Sequence, residues 1–83
     1  MTSEERIRRA GEMVISMLLE KNRAYGDSAL SPVRIFSRAD ATEQIRVRID
    51  DKLSRLARGE DAGEDTLLDL IGYLVLLLAA RTA

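Results

Sequence analysis

Glu64-Asp65-Thr66-Leu67-Leu68-Asp69-Leu70-Ile71-Gly72-Tyr73-Leu74-Val75-Leu76-Leu77-Leu78-Ala79-Ala80-Arg81 is the stretch that decides the fold. At about 100° per residue, Leu67, Leu70, Ile71, Leu74, Val75 and Leu78 form one broad apolar face of a helix. Leu68, Leu76 and Leu77 extend apolar surface round much of the remaining cylinder, so other helices must surround it. Asp65, Asp69, Gly72 and Leu76 nevertheless share one stripe. Burying a carboxylate is costly unless a cation or hydrogen-bond donors meet it. The acidic stripe therefore predicts positive charge arriving from elsewhere.

Working outward, Asp61-Ala62-Gly63-Glu64 has capping-box spacing and predicts a helix over about 62–82, with Arg81 suiting its C-terminal dipole. Before it, Asp40-Ala41-Thr42-Glu43 has the same spacing and launches a helix over about 41–58. Its inner seam is Ile45, Ile49, Leu53 and Leu56, and Gly59 is its stop. Arg48, Lys52 and Arg55 share one flank with Asp51 beside them; Arg46 and Asp50 share the other. Lys52 lies close enough to the seam to be partly buried. Between Arg34 and Arg58 basic residues outnumber acidic ones seven to four. Such runs usually mark a solvated face with intrahelical pairs.

Toward the N-terminus, Ser31-Pro32 reads as an N-cap with proline in the first turn, opening a short helix over about 32–37. Phe36, the single Phe, reads as a core plug, with a base platform as the alternative. Residues 21–28 read as a loop that gathers Lys21, Arg23, Tyr25 and Gly26, a set able to grip a phosphate and stack a base. A helix-terminating turn with Tyr25 packed on the core accounts for the same residues. Ser3, followed by Glu4 and Glu5, caps a first helix over about 3–22 with Ile7, Ala10, Gly11, Val14, Met17 and Leu18 on one face.

The 83 residues make one all-α domain, a small antiparallel helical bundle of two long helices, an N-terminal helix and a short helical turn. A chain this short buries only about 60% of its unfolded surface, and three helices hardly enclose the last one. A homo-oligomer with helix 62–82 at the interface follows. The chain has no Cys and no His, so thiol chemistry, disulfides and the usual zinc ligands are excluded. Any metal must be held by Asp and Glu, which favours Mg²⁺. A net charge of −1 gives no field for duplex nucleic acid. Leu70 to Ala80 is too short to span a bilayer. The Glu- and Arg-rich N-terminus does not read as a signal peptide, so a cytoplasmic location is expected.

Three blocks carry a resemblance. Lys21-Asn22-Arg23-Ala24-Tyr25-Gly26-Asp27, Arg48-Ile49-Asp50-Asp51-Lys52-Leu53-Ser54-Arg55-Leu56 and Glu64-Asp65-Thr66-Leu67-Leu68-Asp69-Leu70-Ile71-Gly72-Tyr73 stand in the order found in the nucleotide-modification-associated domain family of phage and bacteria. That family is similar to the all-α NTP pyrophosphohydrolases of MazG and dimeric-dUTPase type, and the resemblance spans about residues 20–80. It implies a helical oligomer holding a nucleotide between helices. By position, Asp51, Asp65 and Asp69, helped by Glu64, would be ligands for Mg²⁺. Lys52 and Arg55 would hold phosphates, with Tyr25 and Gly26 bordering base or phosphate chain.

The chain departs from MazG-type enzymes in having no ExxE pair, and its Asp50-Asp51 runs at once into Lys52. Three readings stay open. One is a binder that sequesters a nucleotide or cyclic oligonucleotide through Lys21, Arg23, Arg48, Lys52 and Arg55, comparable in role and size to compact phage proteins that soak up cyclic-nucleotide immune signals. Another is a Mg²⁺-dependent pyrophosphohydrolase using Asp51, Asp65 and Asp69. The last is a helical assembly module in which Asp69 is bridged to Lys52 or an Arg.

Overall fold

The computed structural model describes residues 1–60 and 65–82. Three helices, α1 (Ser3–Ala24), α2 (Ala41–Ala57) and α3 (Thr66–Ala80), make up its regular structure, with no strand among the described residues. Among those residues no helix is long and apolar enough to cross a membrane.

Each helix begins on a side-chain cap. Thr2, not the expected Ser3, caps α1, its hydroxyl accepting from the Glu5 N–H at 3.1 Å. Asp40 accepts from the Glu43 N–H at 2.8 Å and opens α2. Only half of the expected capping box forms there, because the Glu43 carboxylate turns to Arg46, 2.8 Å away. At α3 the cap is Asp65, which accepts from the Leu68 N–H at 3.0 Å. The expected box at Asp61 to Glu64 lies outside the described residues. A cap of this type contributes about 1 kcal/mol.

The first two helices end on glycines in the left-handed region, Gly26 (φ 63°) and Gly59 (φ 69°). In each case the next N–H reaches back to close a Schellman turn, Asp27 to the Asn22 carbonyl and Glu60 to the Arg55 carbonyl. α1 therefore runs two residues further than the sequence suggests, through Lys21 and Arg23. The loop expected over 21–28 thus starts only at Tyr25, with 25–28 forming the turn. One short interval of helix sets those two side chains about 200° apart, so they no longer converge.

The short helix expected at 32–37 is absent, and residues 31–40 form bends and irregular chain. One isolated turn is costly to nucleate without an apolar surface to pack on. Val33, Ile35 and Phe36 all point away from the helices, and Phe36, expected as a core plug, is 99% exposed.

α3 packs against both α2 and α1, while α1 and α2 make no direct helix-to-helix contact. Gly72 makes the approach to α1 possible. A Cβ there would fall 2.9 Å from the Met17 Cε and 3.2 Å from a Leu18 Cδ atom. The only buried apolar side chains among the described residues are Val14 and Ile45; Lys52, Thr66 and Gly72 are buried with them. The rest of each expected seam is less enclosed. Ile7, Ala10 and Gly11 overhang on α1, and Leu53 and Leu56 on α2 are exposed. Most unexpected is α3 itself. Its Asp69–Gly72–Leu76 stripe turns inward, and Leu67, Ile71, Leu74, Val75 and Leu78 turn outward.

Candidate functional site: a basic cleft behind a bridged aspartate

The inward stripe of α3 begins with Asp69. Its two carboxylate oxygens meet two ammonium groups from different helices, Lys21 of α1 and Lys52 of α2, each at 3.5 Å. The Lys52 side chain is 10% exposed and that of Asp69 19%, so this junction is largely removed from water, whereas the Lys21 side chain reaches solvent. Lys52 lies seven residues after Ile45 on the same face of α2, which is why a cation sits in an apolar seam. Without Asp69, Lys52 would lose a counter-charge in a site where charge is poorly solvated.

Next to this junction, between the three helices, lies a cleft of about 440 Å³. Lys21 and Tyr25 line it from the end of α1, Gln44 and Arg48 from α2, and Gly72 and Tyr73 from α3. Arg48 has no ion-pair or hydrogen-bond partner among the described residues, and it is exposed. Its guanidinium and the Lys21 ammonium face a single carboxylate in this lining, and Lys52 already shares that carboxylate. The cleft is therefore electropositive. Tyr25, largely exposed rather than packed on the core, also lines it from the helix cap fixed by the bond from its N–H to the Lys21 carbonyl.

Of the residues singled out in the sequence, the structure brings Lys21, Tyr25, Arg48 and Asp69 into this one cleft. The others lie elsewhere. Arg23 is on the opposite side of α1 from Val14, nine residues on. Gly26 forms the turn beyond the helix and does not line the cleft. Lys52 is behind the wall at Asp69, and Arg55 pairs with Asp51 one turn back at 3.4 Å.

The three carboxylates considered for Mg²⁺ are not gathered. Asp51 is held by Arg55, Asp65 caps α3 and Asp69 meets two ammoniums. Among the described residues no group of three or more acidic side chains is placed to hold a metal. Glu64 lies outside the described residues.

Gln44 is a lining residue that the sequence reading did not single out. Its amide N–H donates to the Ala39 carbonyl at 2.9 Å, leaving its oxygen available to the cleft. The available signal was its position four residues before Arg48, on the same flank of α2. No protein family, curated protein or solved structure matches this chain.

Proposed function

We propose that this chain is a small homo-oligomeric helical protein that binds a nucleotide or cyclic oligonucleotide in the cleft between α1, α2 and α3 and holds it intact. The observation that carries the reading is the convergence of Lys21, Arg48 and Tyr25, from two helices, on one cleft. Its volume lies in the range of small-molecule pockets, roughly 300–1,000 Å³. Phosphate oxygens would take the guanidinium of Arg48 and the ammonium of Lys21, with a base laid against the Tyr25 ring. The pairing of Asp69 with two lysines favours capture over metal-dependent cleavage. The carboxylate best enclosed by the helices is already neutralised without a divalent ion. The outward apolar face of α3 supports the homo-oligomer, in which an antiparallel bundle would be completed by another copy.

The test is a thermal-shift screen of mononucleotides and cyclic dinucleotides with and without Mg²⁺, followed by chromatography of the recovered ligand. Mass action gives about 2.7 kcal/mol of stabilisation at a hundredfold excess over Kd. The reading expects a metal-independent rise in Tm, intact ligand on recovery, and loss of the shift in Arg48→Ala. Pyrophosphate released only with Mg²⁺ would replace capture by hydrolysis. No shift with any nucleotide would remove the cleft as a nucleotide site.

A further inference from the structure

The outward side of α3 carries a row of apolar side chains left exposed among the described residues. Leu67, Ile71, Leu74 and Leu78 are spaced i, i+4, i+7, i+11, with Val75 beside them, and all five are exposed. This is the spacing of a helix-pairing seam. The protomer as a whole is short of partners. It exposes 6617 Å², whereas a compact monomer of this mass exposes about 5,000 Å². Its radius of gyration is 14.1 Å, against about 12 Å expected for this length.

We infer that α3 pairs through this face with α3 of a second copy, antiparallel, about a two-fold axis lying between Ile71 and Leu74. Four observations choose that occupant. The chain exposes about 1,600 Å² more than a compact monomer of its mass, and this face is part of that surplus. With Val14 and Ile45 the only buried apolar side chains among the described residues, the chain needs its cover whenever it is folded, and a second copy is always present in equal amount. The spacing of the stripe reads the same in both directions. A two-fold therefore sets Leu67 against Leu78 of the other copy and Ile71 against Leu74 of the other copy, as an isologous contact requires. Antiparallel pairing also opposes the two helix dipoles. The pairing specifies the homo-oligomer proposed above but not its ligand. The cleft opens on the opposite side of α3, so pairing and nucleotide binding fail separately.

The absence of native cysteine makes the register directly testable. The full chain carrying both Leu67→Cys and Leu78→Cys is oxidised and compared with each single variant, beside sedimentation of the unmodified chain. The inference expects a dimer in solution and a covalent dimer from the double variant. Little should form from either single variant, whose paired thiols would stand about 16 Å apart along the axis. A helical chain that sediments as a monomer overturns it and leaves the face to a different protein or a lipid surface. Efficient cross-linking of Leu78→Cys alone overturns the antiparallel direction, and a dimer that no variant cross-links overturns the surface. Ligand-induced thermal shift measured on the same samples reports the cleft independently.

Discussion

The two sides of α3 contrast in a way its composition hides. The side with an aspartate and a glycine faces the other helices, and the side built of leucine, isoleucine and valine faces outward. Hydrophobicity alone assigns these sides the other way round. Shape and charge reverse the assignment. Gly72 lets α1 approach closely enough for Met17 and Leu18 to pack over the backbone, and the two lysines offset the cost of enclosing Asp69. The outer face then keeps its apolar surface uncovered by the other helices. The helix thus divides a polar junction within the chain from an apolar face, which the inferred pairing would cover with a second copy.

The sharpest way to break the comparison is to remove the polar side. Asp69→Ala leaves Lys52 enclosed without this counter-charge, and loss of one partner of a buried pair costs about 3–5 kcal/mol. Urea unfolding at fixed protomer concentration should show a loss of that order, largely regained when Lys52→Met is added. Next in size is the apolar side. Leu74→Ala should cost about 2–3 kcal/mol if the second copy covers it, because it then behaves as a core truncation. An uncovered residue would change stability by only about 0.5 kcal/mol. Measuring Tm at several protomer concentrations separates these outcomes.

Gly72→Val sharpens the contrast from within. The larger side chain must displace Met17 and Leu18, at a cost of about 1–3 kcal/mol, and loss of α1–α3 packing should appear as faster amide exchange around Val14. Asp40→Ala removes the cap of α2 and should cost about 1 kcal/mol, read by thermal melting. The smallest effect belongs to Phe36→Ser. Its ring is fully exposed and plays no part in the proposed seam, so stability and oligomeric state should stay within about 0.5 kcal/mol of the parent.

The helices were legible where local chemistry sets them. Asp40 and Gly59 bracket α2 as a cap and a left-handed stop, and the need of Asp69 for a cation follows from its place in an apolar helix. Lys52 was legible as a partly buried cation because it continues the Ile45 seam. Less legible was anything that depends on which helix meets which. Arg23 and Lys21 look like neighbours in sequence, but the two added residues of α1 put both on the helix, where they stand about 200° apart. Phe36 looks like a core residue by type, yet no helix passes near enough to cover it. The orientation of α3 was hidden because an apolar face reads the same whether its partner belongs to its own chain or to another. Gln44 was missed for a related reason: a polar residue on a helix flank acquires a role only when a third helix supplies the opposite wall.

The central claim is that Asp69 is held across helices by ammonium groups, which turns the apolar side of α3 outward. The most direct measurement is a double-mutant cycle on Asp69→Asn and Lys52→Met, from urea unfolding at one protomer concentration. The account predicts a coupling free energy of about 1.5–3 kcal/mol, with the double variant more stable than the two single losses imply. Additive losses, within about 0.5 kcal/mol of zero coupling, would contradict it.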